Sequence, residues 1–238
     1  GGSDISVAED STITGSFTIE APDGLTSLTL GGTVISAAAL GASGTTNVAL
    51  PASSNGTLTI TGYNSSTGVV SYSYNPTGSS TNHTAGNVID SFNVVVTDSS
   101  NTTASASLDI LITDTAPVAN ADARTLTEDA GAGMGVSGNL VTGVSATADT
   151  IGADTSTVTG AQVGTVATEI TSGVASALAG TYGTLTLQSN GSYAYVTNAA
   201  AQGFNAGDTR TVVSSCTVTG SDAGFSATAG TCAVQGPG

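Results

Sequence analysis

Gly180-Thr-Tyr-Gly-Thr-Leu-Thr-Leu-Gln-Ser-Asn-Gly-Ser-Tyr-Ala-Tyr195 decides the fold class. Leu185 and Leu187 alternate with Thr184 and Thr186, and Tyr193 and Tyr195 resume the alternation after Asn190-Gly191. A period of two puts each apolar pair on one face of an extended chain, and Asn and Gly tolerate the positive φ of a tight reversal. The stretch predicts a β-hairpin with one buried face. The same text occurs earlier in the chain. Asn55-Gly-Thr-Leu-Thr-Ile60 matches Tyr182-Gly-Thr-Leu-Thr-Leu187, and Ser71-Tyr-Ser-Tyr74 matches Ser192-Tyr-Ala-Tyr195. Val7-Ala-Glu-Asp10 matches Leu126-Thr-Glu-Asp129, and Ala85-Gly86 ahead of Asp90 matches Ala206-Gly-Asp208. The landmarks keep their order over a period of roughly 120 residues, which is the size of a domain and well beyond a solenoid unit of about 20–50 residues.

The 238 residues therefore read as two copies of one domain, 1–116 and 117–238. Short alternating runs rich in Val, Ile, Thr and Tyr are divided by Gly, Asn, Asp and Ser, the pattern of an all-β sandwich. In the first copy strands are expected within Ile5–Val7, Thr12–Ile19, Thr57–Ile60, Val69–Tyr74, Ser91–Thr97 and Ala104–Ile112. Val34–Gly41 has room for no more than a helical turn or two, and 141–180 has too weak a periodicity to place strands. Between the copies, Thr113-Asp-Thr-Ala-Pro-Val-Ala-Asn-Ala-Asp122 reads as a short, stiff linker, because Pro117 fixes its own φ and favours an extended residue before it.

Composition excludes several functions. Two arginines and no lysine stand against 17 acids, for a net charge of −15. Phosphate neutralisation needs clustered cations, so nucleic acid is excluded as a partner, and an anionic membrane surface is disfavoured. No apolar run reaches the 18 or more residues of a spanning helix, and no membrane insertion is expected. Lacking lysine, the chain has neither Schiff-base chemistry nor a phosphate-binding P-loop. His83 is the single histidine, and in Ser80-Thr-Asn-His-Thr-Ala-Gly86 it reads as a solvated loop residue. No nucleophile elbow surrounds any serine, and adjacent acids such as Glu9-Asp10 point to opposite faces of an extended chain. No enzymatic activity is expected, and no catalytic residue is assigned. Five Asn-x-Ser/Thr sequons, at Asn55, Asn64, Asn82, Asn101 and Asn190, are acceptors wherever glycosylation machinery exists.

Pro117-Val-Ala-Asn-Ala-Asp122, Leu126-Thr-Glu-Asp129, Val136-Ser-Gly-Asn-Leu140 and Gly180–Tyr195 with Ala206-Gly-Asp208 together resemble the VCBS-type repeat of giant bacterial surface adhesins exported by type I secretion. The first copy more loosely resembles the Ig-like and cadherin-like repeats that neighbour it in such proteins. The resemblance implies two tandem Ig-like (cadherin-like) Greek-key β-sandwiches in an extracellular stalk, at the cell surface or in a matrix, often with calcium at domain junctions. Three departures are evident: Val141–Ala148 stands where the repeat often carries an Asp-rich loop, Val212-Val-Ser-Ser-Cys-Thr-Val218 stands where the penultimate strand is usually aromatic-rich, and Gln235-Gly-Pro-Gly238 replaces the usual onward linker.

Calcium takes six to eight hard oxygens. The candidate ligands are Asp98, Asp114, Asn120, Asp122, Glu128 and Asp129, on the expectation that all fall near the junction when the sandwiches stack end to end. In an extracellular chain, Cys216 and Cys232, on the last two expected strands about Asp222-Ala-Gly224, are expected to form a disulfide. The leading expectation is an extracellular structural and adhesive segment of a bacterial surface or biofilm-matrix protein. Its expected partners are other copies or neighbouring repeats, with cell-surface glycans or matrix as further ones. The alternative is a self-assembling filament subunit joined by strand pairing between chains. A carbohydrate-binding module ranks below both, since the chain has no Trp and few aromatic rings.

Overall fold

The computed structural model describes residues 4–53, 55–78, 81–125, 135–202, 210–221 and 226–236, apart from the side chains of 125, 210, 211 and 226–236. The chain divides into two compact units, Gly1–Thr115 and Ala116–Gly238.

Unit 1 runs through β1 (Ile5–Ala8), β2 (Ile13–Thr18), β3 (Leu25–Leu30), β4 (Thr33–Ser36), α1 (Ala37–Gly41), β5 (Val48–Ala49), β6 (Gly56–Asn64), β7 (Val69–Pro76), β8 (Val88–Asp98) and β9 (Thr103–Thr113). One sheet has the order β1-β9-β8-β3-β4 and the other β2-β7-β6-β5. The chain passes from sheet to sheet between β1 and β2, β2 and β3, β4 and β5, and β7 and β8, which is Greek-key sandwich connectivity. β1 pairs with β9 in parallel, and the other ladders are antiparallel. Period two dictates the core. Leu58 and Ile60 of β6, Val70, Tyr72 and Tyr74 of β7, and Leu108, Ile110 and Ile112 of β9 are buried between the sheets. Burying each such side chain is worth about 1.5–3 kcal/mol. α1 is one short turn, capped by Ser36 Oγ, which accepts from the Ala39 amide at 3.2 Å, and it exists to seat the fully buried Leu40.

Unit 2 repeats this plan with β10 (Asp122–Thr125), β11 (Gly135–Asn139), β12 (Ser156–Val163), β13 (Ala177–Ala179), β14 (Gly183–Leu187), β15 (Ser192–Thr197), β16 (Arg210–Val212), β17 (Ser214–Gly220) and β18 (Ser226–Gly236). Its sheets are β10-β18-β17-β12, with β16 also on β18, and β11-β15-β14-β13. β10 again runs parallel to the last strand. The expected hairpin is β14–β15, in which Leu185 faces Tyr195 and Leu187 faces Tyr193. Its loop spans four residues, Gln188–Gly191, with Gly191 at φ +82° and Ser192 N donating to Asn190 Oδ1 at 3.0 Å.

Tyrosine rings lie across glycines in both units. A Cβ at Gly56 would collide with the Tyr74 hydroxyl, and one at Gly183 would stand 2.5 Å from the Tyr195 ring and hydroxyl. Gly56→Ala therefore overpacks a closed core and is expected to cost unit 1 about 1–3 kcal/mol. Urea unfolding of the variant against wild type, read as a lowered midpoint at unchanged slope, checks this, and an unchanged midpoint refutes it.

Candidate functional site

The parallel pairing of β1 with β9 sets Ala8 opposite Thr113, so residues leaving the ends of these strands emerge side by side. Glu9 N donates to Thr113 O at 3.0 Å. Glu9 Oε1 accepts from Thr115 N and Thr115 Oγ1, both at 2.9 Å. Glu9 Oε2 lies 3.5 Å from His83 Nε2, is buried, and accepts no hydrogen bond. The half-buried Asp114 offers a second carboxylate within 4.8 Å of that of Glu9. Glu9 is 2% exposed, and this environment pushes its carboxyl above the usual range. Burial is the main cause, Asp114 adds to it, and the Thr115 donors hold it back.

His83 corrects an expectation. It is not a solvated loop residue but is 4% exposed against the Glu9 carboxylate. The sequence conveyed the loop, whose Gly86 amide donates to His83 O at 2.8 Å, but not that the loop folds its histidine inward.

In unit 2 the residues following Pro117 are tied to the segment 147–150. Val118 and Thr150 form a two-residue antiparallel bridge. Asp149 Oδ1 accepts from Asn120 N at 2.8 Å, and Asn120 Nδ2 donates to Ala148 O at 2.7 Å. Asp122 Oδ1 accepts from Thr147 N at 2.6 Å. Asp122 is buried, and burial, opposed by the Thr147 amide and assisted by Asp149, raises its carboxyl. Burial raises that of Asp149 as well, against the Asn120 amide.

Of the expected calcium ligands, Asp114 lies beside Glu9, and Asn120 and Asp122 share one loop system with Asp149. Asp98 does not join Asp114. It sits at the β8–β9 turn, where its Oδ1 accepts from Ser100 N at 2.9 Å and Thr102 N at 2.8 Å. The whole of β9 separates it from Asp114, roughly 33 Å at about 3.3 Å per residue. Its carboxylate closes a turn. Glu128 and Asp129 lie outside the described residues, as does the side chain of Cys232. Cys216 is buried on β17, whose neighbour is β18. Glu9 and Asp149 were not among the expected ligands. For Glu9 the signal was present in the sequence, since Glu9 is the counterpart of Glu128 in the repeat.

No protein-family model matches the chain, and no curated protein matches it. Solved structures to which it is similar include mouse clustered PcdhgC3 EC1-3, at 13% identity and TM-score 0.31, covering 99% of this chain and 65% of that one. Drosophila N-cadherin EC1-4 aligns at 16% identity and TM-score 0.31, covering 99% and 48%. Human Mucin-like Protocadherin EC1-2 aligns at 16% identity and TM-score 0.34, covering 99% and 97%. The chain thus spans less than two thirds of the length of the first of these and about half of the second.

The three raised carboxyls make stability depend on pH with a definite sign. A group that binds its proton more tightly when folded contributes stability that is fully present below its unfolded pKa, and this is lost as pH rises through the folded value. The loss begins near the ordinary values, 4.5 for Glu9 and 3.8 for Asp122 and Asp149, and continues upward to their raised ones. In chelator, the melting temperature of the chain is expected to fall as pH rises from about 4 towards neutrality. Glu9→Gln is expected to flatten part of that slope. A melting temperature that rises over the same interval would overturn the assignment.

Proposed function

We propose that the chain is a structural and adhesive segment of a large extracellular protein, built from VCBS-type and cadherin-like repeats and acting at a cell surface or in a matrix. The observation that carries the proposal is the tandem repetition of one Greek-key sandwich plan, with carboxylates at the chain ends of unit 1. Repetition of a whole domain supplies reach, and a Pro-containing linker supplies stiffness. The surface, rich in hydroxyls and amides and carrying a charge of −15, suits a saline medium. Its partners are neighbouring repeats and other copies. Glycans are a weaker proposal, since exposed aromatic platforms are not part of the supporting pattern. The proposal assigns no catalytic role.

Calcium belongs to this proposal. Glu9 and Asp114 bring hard oxygen donors together, and Glu9 Oε2 is a buried acceptor with an unused lone pair. This fits the oxygen chemistry of calcium, which would neutralise the pair. His83 is the competing answer, because an imidazolium beside Glu9 would neutralise it without any metal. Thermal unfolding in calcium and in chelator separates the two. In the calcium proposal the ion stabilises the folded chain by up to about 2.7 kcal/mol at a concentration 100-fold above Kd. Glu9→Gln is expected to abolish the response while leaving the chelated protein at least as stable as wild type, since the amide still accepts from Thr115 and no longer buries a charge. Small-angle scattering is expected to show a stiffer chain in calcium. Superimposable curves with and without calcium would remove the ion from the proposal and leave His83 as the neutralising group.

A disulfide between Cys216 and Cys232 is the further proposal for an extracellular chain. Closing this loop would limit the unfolded ensemble by about 3 kcal/mol. Intact mass is expected to rise by two hydrogens on reduction, and alkylation without reductant that labels both thiols would refute the crosslink.

A further inference from the structure

Asn-Gly occurs twice in the chain, at Asn55-Gly56 and Asn190-Gly191, each time after a serine. Glycine has no Cβ to shield its amide nitrogen, which leaves that nitrogen free to attack the side chain before it. The attack forms a bond from the glycine nitrogen to the asparagine Cγ, and the Cγ–Nδ2 bond breaks. Ammonia leaves with the proton that the backbone amide gives up, and a five-membered succinimide ring remains. Water opens the ring at one carbonyl or the other, to aspartate or to isoaspartate. Water is the only co-reactant.

Both pairs sit in the same Ser-Asn-Gly context, so the fold decides which of them reacts. The glycine N–H must leave its hydrogen bond before its nitrogen can reach Cγ. At Gly56 that release takes the core of unit 1 with it. Gly56 N donates to Ser53 Oγ at 2.9 Å, and the same hydroxyl is held by the buried Asp90. Asn55 O accepts from Thr77 N at 2.9 Å. Gly56 pairs with Pro76 on β7, and the fully buried Tyr74 lies across it. At Gly191 the release is local. Its N–H donates to Gln188 O at 3.0 Å within the β14–β15 turn, and Asn190 Oδ1 accepts from Ser192 N at 3.0 Å. From outside the hairpin, Asn139 Nδ2 donates to Asn190 O at 2.9 Å and Leu140 N to Gly191 O at 3.0 Å. Gln188, Ser189 and Asn190 are exposed, whereas Asn55 is half-buried. Opening a turn costs far less than opening a core.

We propose that Asn190 is a site of spontaneous deamidation and isoaspartate formation, gated by opening of the β14–β15 turn, and that Asn55 is sealed by the core of unit 1. The two products act differently on unit 2. Aspartate adds a charge yet keeps an acceptor for Ser192 N. Isoaspartate routes the main chain through Cβ and lengthens it by one carbon, and the turn has no room to absorb this. Even a Cβ at Gly191 would stand 2.7 Å from Val141 Cγ2 and 2.8 Å from Asn139 Oδ1. The longer loop also parts Gln188 N from Ser192 O, the 2.8 Å bond that closes the hairpin beside Leu187 and Tyr193. Modification thus loosens the hairpin irreversibly, and its rate records how often the turn opens. This chemistry does not depend on the adhesive proposal and goes beyond it.

The test incubates the purified full chain at mildly alkaline pH in chelator, with and without urea. The chain is made without glycans, because both asparagines are sequons. Peptide mapping by mass reads deamidation at each site over time. In the folded chain Asn190 is expected to react about tenfold faster than Asn55, or more. In urea the two rates are expected to converge, with Asn190 itself about tenfold faster than when folded. Asn139→Asp keeps the Oδ1 that accepts from Thr142 N and loses the donor to Asn190 O. It is expected to speed Asn190 about threefold and leave Asn55 unchanged, and Asn139→Ala serves if that variant does not fold. Aged protein carrying isoaspartate at 190, identified by isoaspartyl methyltransferase labelling, is expected to melt below the Asn190→Asp variant. Equal rates at the two sites in the folded chain would overturn the proposal, as would an Asn190 rate that is the same folded and unfolded. So would an Asn190 rate untouched in a folded Asn139 variant, or isoaspartate protein that melts like Asn190→Asp.

Discussion

Both sandwiches are organised by the laying of tyrosine rings across glycine backbone. Tyr72 covers Gly15 and Tyr74 covers Gly56 in unit 1, while Tyr193 covers Gly138 and Tyr195 covers Gly183 in unit 2. A ring can lie flat across a neighbouring strand where no Cβ intervenes, and it then buries a large apolar area while its hydroxyl reaches the far side of the strand. That hydroxyl needs a partner once desolvated. Tyr74 donates to Asp90 Oδ2 at 2.6 Å, and Tyr193 donates to Ser145 O at 3.1 Å. The rings thus bind loop to sheet as well as strand to strand. Asp90, itself buried, also accepts from Ser53 Oγ at 2.5 Å, which ties the segment before β6 to β8.

This constraint is why the hairpins were legible. Gly-Thr-Leu-Thr followed by Tyr-x-Tyr writes the register into the sequence twice, and β6–β7 and β14–β15 follow it residue by residue. Segment 141–180 was illegible for an equally physical reason. β12 carries a bulge between Val158 and Gly160, so its buried apolar side chains, Val158 and Ala161, are three apart with Gly160 buried between them, and the period of two is broken. β13 is three residues long, too short to establish any period. The α-helical turn was visible at Val34–Gly41, and Ala37–Gly41 adopts it because Ser36 caps it and Leu40 anchors it.

Site residues were harder to read because sequence distance misleads in a Greek key. Asp98 and Asp114 flank a single strand, and that strand carries them to opposite ends of unit 1. Glu9 and Asp114 are almost a domain apart in sequence and meet because the first strand runs parallel to the last. The repeat offered a route to Glu9 through its counterpart Glu128, whereas no local pattern marks the burial of His83. Topology, more than composition, decides which carboxylates share a site.

Among the described residues, neutral donors hold most of the buried acids, and Glu9 has the His83 ring beside it as well. Thr115 holds Glu9, Thr147 holds Asp122, Asn120 holds Asp149, and Tyr74 and Ser53 hold Asp90. A neutral donor offsets part of the desolvation cost but leaves the charge uncancelled, and the carboxyls of Glu9, Asp122 and Asp149 rise accordingly. The bonded carboxylate oxygens are satisfied geometrically but their charge is not cancelled by these donors, and Glu9 Oε2 accepts no hydrogen bond at all. Either a proton or a hard cation relieves that condition, so acidification and calcium are expected to act on the same residues and in the same stabilising direction. Lysine partners would have cancelled the charge and removed sensitivity to both. The scarcity of basic residues thus leaves the carboxyls of Asp122 and Asp149 raised by burial with only neutral amides to oppose it.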